Sequence, residues 1–296
     1  MDTAMPKEKL EEVLDRITRE VTQDSAGIRL FQGESEPGSD ICTVHVGFRK
    51  GFHSSLSLRA DTAMLTRLSK SILKEEYVTA QDMEDVAKEY LNVLCGHIAA
   101  ALYKSTRISA RFSVPSFHYG AYSPENHEEQ FVLSYDSDRG GTAQLVHHVP
   151  VSQGTARGTQ QAGIQFQQKE GSQIMAKRVM VVDDSRVQEV QIRKLLEGSD
   201  YEVAHYCRSG EDALAVYDEV KPDVVTMDII MPGMDGLETA QAILEEYPEA
   251  KIVMVSSLAY EDTFDEAKTI GAKGFISKPF DQEKLLAALD QALSGQ

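Results

Sequence analysis

Apolar positions along this chain change their period in a way that divides it. From Pro6 to Thr22, Leu10, Val13, Leu14, Ile17 and Val21 recur at helical spacing and predict an amphipathic helix. Ser25–Asp40 holds Gly, Pro and Ser and reads partly as loop. Ile41–Phe48 and Phe52–Arg59 read as strands joined through Arg49, Lys50 and Gly51. Thr62–Leu73 and Thr79–Lys104 read as helices, the second long and with Thr79 placed as an N-cap. Ile108, Ala110, Phe112 and Val114 then alternate, which predicts one strand over Ile108–Ser116. Gln130–Asp136 and Thr142–Val149 read as two more strands around an Asp138–Arg139–Gly140–Gly141 turn. Residues 1–150 are therefore predicted to be α+β: an antiparallel sheet carrying long helices.

The pattern lapses over residues 151–177. Gly154, Gly158, Gly163 and Gly171 sit among many glutamines with no sustained hydrophobic period, and the segment reads as a flexible linker. A regular alternation begins at Arg178. Strands are expected near 178–182, 201–206, 223–227, 251–256 and 273–277, with helices between them and a last helix over 281–293. Five such βα units predict an α/β domain over 178–296, a doubly wound parallel sheet.

Charge narrows the class. The net charge of −17 is concentrated in residues 178–296, which hold 11 basic and 24 acidic residues. Such a surface repels nucleic acid. No apolar run approaches a membrane span, and the charged N-terminus has no signal-peptide core. Cys42, Cys95 and Cys207 are widely spaced, as expected of reduced cytoplasmic thiols. The last predicted helix ends close to Gln296, so the expected output is the N-terminal domain or a separate partner.

The candidate chemistry centres on the stretch VVTMDIIMPGMDG. Asp228 ends its apolar run, and open α/β sheets bind ligands at that edge. Asp183 and Asp184 follow the first strand and are expected beside it. Carboxylates gathered in this way need a cation among them, and hard oxygen ligands beside a phosphoryl group point to Mg²⁺. Ser256 and Lys278 close later strands, where each could meet a phosphoryl oxygen.

These residues carry a resemblance. VVDDS, MDIIMPGMDG, VMVSS and GFISKPF, in this order, resemble the receiver domain of CheY-type response regulators. The resemblance implies that a CheA-like sensor histidine kinase phosphorylates Asp228. It implies that Asp183, Asp184, Asp228 and the carbonyl of Ile230 hold Mg²⁺, and that Lys278 pairs with the phosphate. It also implies that Ser256 and Phe275 move when the phosphate arrives, and that the Lys278–Pro279 bond is cis. Apolar Ile230 and Leu258 flank the site and predict slow intrinsic loss of the phosphoryl group.

In the first domain the informative stretch is the long helix. Glu89, Asn92 and Gly96 share a side opposite the arc of Met83, Val86, Ala87, Tyr90, Leu94 and Ile98. Spacing alone allows a plain solvated face, although an interior glycine is costly there. The same segment, with LSKSIL before it and Ser113–Pro115 after it, resembles the CheX family of the CheC/CheX/FliY phosphatases. The resemblance implies that Asn92 orients a water toward an aspartyl phosphate, that Glu89 contacts the receiver lysine, and that Gly96 permits close approach. It implies CheY-like phosphorylated receivers as partners and a homodimer through this domain. The expected function is hydrolysis of aspartyl phosphate on receiver domains, its own or separate ones. A non-enzymatic, phosphorylation-switched binding or dimerisation module, or a phosphate sink, is the alternative. His97, Cys95 and the His147–His148 pair read as structural.

Overall fold

The computed structural model describes residues 5–36, 38, 40–150, 176–258 and 261–294. The N-terminal part holds helices α1 (Lys7–Ala26), α2 (Thr62–Leu73) and α3 (Ala80–Thr106). Its strands are β1 (Leu30–Gln32), β2 (Ile41–Lys50), β3 (Ser55–Asp61), β4 (Arg111–Phe112), β5 (Ser116–Tyr119), β6 (His127–Ser137) and β7 (Thr142–Pro150). They form one sheet in the order β1-β6-β7-β3-β2-β4, with β5 also on β2. Every pairing within it is antiparallel, as the alternating pattern predicts.

Two details depart from expectation. The strand expected over Ile108–Ser116 is two short strands, because Pro115 interrupts the ladder and Ser113 instead donates its N–H to the Gly47 carbonyl. The Ser25–Asp40 stretch contributes β1, which its loop-like composition conceals.

Alternate residues explain the core. Cys42, Val44 and Val46 of β2 and Leu56, Leu58 and Ala60 of β3 face the helices and are buried. Helix α3 begins at a capping box, in which Thr79 Oγ1 accepts from the Asp82 N–H and the Asp82 carboxylate accepts from the Thr79 N–H. It ends at Arg107, whose left-handed conformation returns its N–H to the Tyr103 carbonyl.

The C-terminal part alternates β8 (Lys177–Val182), α4 (Arg186–Leu196), β9 (Tyr201–Cys207), α5 (Gly210–Val220), β10 (Val224–Asp228), α6 (Gly236–Glu246), β11 (Ile252–Ser256), α7 (Glu261–Thr269), β12 (Gly274–Ser277) and α8 (Gln282–Ser294). The five strands are parallel in the order β12-β11-β10-β8-β9. The chain moves outward in both directions from β8, so the strand order reverses between β8 and β10. Continuous burial of β10 and β11 reflects helices on both faces. Residues 151–175, most of the expected linker, lie outside the described residues. Lys177, expected in that linker, opens β8 instead.

The long helix α3 is buried on two sides. Val86, Leu91, Leu94 and Ile98 face the N-terminal core, while Glu89 and Asn92 on another side are only 8% and 5% exposed. The cover is the C-terminal part. Val187 and Leu258 are buried in the same apolar cluster as α3, and Ile230 packs against it. The solvated helix face that spacing alone allows is therefore corrected: its polar residues are enclosed by the other half of the chain.

Candidate functional site

The site lies at the C-terminal ends of β8, β10 and β12, where parallel strands deliver side chains to one edge. Asp183 follows β8, Asp228 ends β10 and Lys278 follows β12. Gly236 shapes the loop after Asp228, since a Cβ there would lie 1.8 Å from the Asp228 carbonyl oxygen. Asp235 caps α6 by accepting from the N–H groups of Leu237 and Glu238 at 2.9 Å each, which fixes the far end of that loop. The Lys278–Pro279 bond is cis, as expected.

Lys278 is the hub. Its Nζ lies 2.9 Å from Asp183 Oδ2, 3.1 Å from Asp228 Oδ2 and 3.2 Å from Glu89 Oε1. It donates hydrogen bonds to Asp183 and Asp228 and forms an ion pair with Glu89, which comes from α3 of the other domain. Burial alone would lower the lysine's pKa. The three carboxylates outweigh that burial and raise it well above the ordinary range.

The acids are displaced the other way. Burial first, then the neighbouring carboxylates, raises Asp183 and Asp228, with Lys278 opposing. Asp184 is pushed up to about 7, by burial and then by Asp183 and Glu89. Asp183, Asp184 and Asp228 offer ligand oxygens all within 4.8 Å of one another. A set of hard, mutually repelling oxygens fits a small divalent cation such as Mg²⁺.

The remaining expected residues sit around this centre. Ser256 is fully buried at the end of β11, and its Oγ accepts the Leu258 N–H at 2.9 Å. Phe275 lies half-buried in β12, packed against the receiver core, with its ring centroid 4.2 Å from that of Phe264. Ile230 follows Asp228 by two residues, and its side chain joins the apolar contact with α3.

Helix α3 reaches this edge through successive turns. Glu89 meets Lys278. One turn on, Asn92 Oδ1 accepts from Ser257 Oγ at 3.4 Å. One further turn on, Gly96 faces the Ser257 backbone, and a Cβ there would lie 2.1 Å from the Ser257 carbonyl oxygen. His97, expected to be a packed structural side chain, donates from Nε2 to the Lys278 carbonyl at 3.3 Å across the domain contact. Cys95 points into the core, where burial raises its thiol pKa and keeps it protonated. His147 and His148 face opposite sides of β7: one stacks on Phe131, the other reaches Ser57.

Several contact residues escape a sequence reading. Gln188 in the first turn of α4 donates from Nε2 to Glu89 Oε1 at 2.8 Å. Around the rim, Arg111 pairs with Asp235 at 3.4 Å and with Glu266, and Arg186 pairs with Asp82 at 3.6 Å. Tyr103 donates to Asp262 at 3.0 Å. A glutamine or arginine on a half-polar helix or edge strand carries no mark of this role. Only the meeting of the two domains identifies it.

The comparisons with known proteins agree with this division. The response regulator receiver domain family matches residues 179–290, and the chemotaxis phosphatase CheX family matches residues 42–134. The chemotaxis protein CheY of Listeria monocytogenes is 41% identical over 115 residues, which is 39% of this chain and 97% of that protein. CheY of Thermotoga maritima is 38% identical over 117 residues, 40% of this chain and 98% of its own. Among solved structures, a chain of the CheX–CheY–BeF3–Mg²⁺ complex from Borrelia burgdorferi aligns at 32% identity over 40% of this chain and 87% of its own length, with a TM-score of 0.37. The protein therefore joins a domain of the chemotaxis phosphatase CheX family to a CheY-type receiver, and through that receiver it belongs to the response regulators.

Proposed function

We propose that this protein is a self-limiting response regulator: a histidine kinase phosphorylates Asp228, and the chain's own CheX-family domain hydrolyses the acyl phosphate. The observation that carries this reading is the seat of α3 on its own receiver. The Glu89 carboxylate lies 3.2 Å from Lys278 Nζ, and Gly96 lies against the Ser257 backbone. A general dimerisation or binding surface has no need to deliver a carboxylate to a buried lysine and a carboxamide to Ser257 beside it.

In this reading Asp228 is the phosphoryl acceptor. Asp183, Asp184, Asp228 and the carbonyl of Ile230 would hold Mg²⁺, which when bound offsets the charge of the acids and of the phosphoryl oxygens. Lys278 turns one N–H from Asp228 Oδ2 to a phosphoryl oxygen. Asn92 orients a water on the side of phosphorus opposite the Asp228 oxygen. The water oxygen bonds to phosphorus as the phosphorus–Asp228 bond breaks. Asp228 leaves as a carboxylate, inorganic phosphate is released, and a proton from the water passes to solvent. Glu89 fixes the helix through Lys278. The chain thus contributes position rather than a covalent nucleophile, which suits a loose phosphoryl-transfer transition state.

The test is the lifetime of the acyl phosphate in the full chain after a small-molecule phosphodonor is removed. Asn92→Ala is expected to lengthen it at least tenfold, the scale of losing a positioned catalytic group. The wild-type rate should not change with protein concentration, because the reaction is intramolecular. Equal lifetimes for wild type and Asn92→Ala would reject the phosphatase reading. A rate that rises with concentration would move the reaction to a second molecule.

A further inference from the structure

The contact between Gln188 and Glu89 has an unusual form. Glu89 Oε1 has two partners: it forms an ion pair with Lys278 Nζ at 3.2 Å and accepts a hydrogen bond from Gln188 Nε2 at 2.8 Å. The lysine is shared with Asp183 and Asp228, whereas no second contact of Gln188 Nε2 is recorded among the described residues. Gln188 is itself 4% exposed, and its buried Oε1 has no hydrogen-bond partner among the described residues.

An unpaired buried amide oxygen costs free energy, and a glutamine can rotate its amide to avoid such a cost. Here rotation would set Oε1 against the Glu89 carboxylate. The amide is therefore held in one orientation by a charge-assisted hydrogen bond to the other domain. Its backbone is fixed as well. Gln188 lies in the first turn of α4, and its N–H points to the N-cap Ser185.

We propose that Gln188 is a positioning residue for aspartyl-phosphate hydrolysis: it is the receiver's own anchor for Glu89, holding the catalytic helix in register when Lys278 turns to the phosphoryl group. The inference rests on the phosphatase reading above. Without Gln188, Glu89 has only a donor that the phosphoryl group also claims. With it, the helix keeps one contact that does not change between the free and phosphorylated receiver. A receiver that offers an amide donor four residues after the second acid of its Asp–Asp pair presents the surface this helix recognises. One that offers an apolar or acidic residue there does not.

A double-mutant cycle in the full chain tests this. The acyl-phosphate lifetime is measured for wild type, Gln188→Met, Asn92→Ala and the double variant. Methionine keeps length and removes both amide groups. The expected result is a roughly tenfold slower loss for Gln188→Met in the wild-type background, the effect of one hydrogen bond to a charged group. In the Asn92→Ala background Gln188→Met should change nothing further, because only intrinsic loss remains. A purely structural role in the receiver would slow or speed both backgrounds alike. Gln188→Glu, which keeps shape but faces Glu89 with like charge, should slow loss at least as much as Gln188→Met. Stoichiometric phosphorylation of each variant reports a folded receiver.

Unchanged loss in both Gln188 variants, or equal effects of Gln188→Met in the two backgrounds, overturns the proposal. If Asn92→Ala itself matches wild type, the phosphatase reading fails and this inference falls with it. If Asn92→Ala slows loss and Gln188→Met does not, this inference alone fails.

Discussion

Gly96 and Ser257 meet with no room between them: a Cβ at residue 96 would lie 2.1 Å from the Ser257 carbonyl oxygen. A helix interior disfavours glycine by about 1 kcal/mol relative to alanine. The cost is incurred inside α3 where the Ser257 backbone passes, two turns beyond Glu89. The contact couples helix composition in one domain to the edge of the sheet in the other.

Gly96→Leu should therefore separate the two domains without unfolding either. The helix gains intrinsic propensity, so the melting temperature of the N-terminal domain should stay level or rise. Solution scattering should report a larger radius of gyration, and acyl-phosphate loss should slow to the rate of Asn92→Ala. A compact chain with wild-type loss would contradict the close approach.

Charge at the rim sets register more than strength. Arg111 is partly exposed and pairs with both Asp235 and Glu266. Pairs of this kind contribute about 0–1 kcal/mol each and weaken with salt. Arg111→Glu should lower the phosphoryl-loss rate a few-fold at low ionic strength, with the gap closing in high salt. Adding Glu266→Arg should recover part of it. Phosphate release at two salt concentrations checks this.

Mg²⁺ should stabilise the receiver more at high pH than at low. Asp183, Asp184 and Asp228 all have folded pKa values raised above 3.8, Asp184 to about 7. Without a cation, the folded state binds more protons than the unfolded state between these limits. Stability then falls as pH rises through that window. A divalent ion replaces those protons, so its gain grows as they leave. Thermal unfolding with Mg²⁺ and with a chelator, at pH 5 and pH 8, should give a melting-temperature shift that is larger at pH 8. The shift should shrink in Asp183→Asn.

Ile230 and Leu258, two residues beyond Asp228 and Ser256, bring apolar side chains into the cluster around α3. Ile230→Asn with Leu258→Glu, made in the Asn92→Ala background, should shorten the acyl-phosphate lifetime. The buried glutamate opens the contact, and the polar side chains admit water. An unchanged half-life would reject the role of these apolar side chains in excluding water.

Much of the receiver was legible in the chain. The five strands of its sheet fall within a residue or two of the expected ranges, and the three central ones read as short continuous apolar runs because they are buried on both faces. Asp183, Asp228 and Lys278 converge as expected, since parallel strands deliver their ends to one edge. The N-terminal strands were legible wherever one face is buried, and least so at Leu30–Gln32 and around Pro115. Short edge strands leave too few residues for a period to register. Gln188 left no trace at all, because a glutamine on an amphipathic helix has the same pattern whether it faces water or another domain.

What the amino-acid sequence by itself determined was the identity of each half: the period of its apolar positions, the caps of α3 and the acids at the strand ends are local properties of the chain. What only the tertiary structure decided was the relation between the halves. Glu89 and Asn92 have the polarity of a solvated face, and whether such a face meets water or a buried lysine depends on residues far away in the chain. The burial of Glu89 against Lys278 and Gln188 is a property of two surfaces that fit, and neither surface carries that information alone.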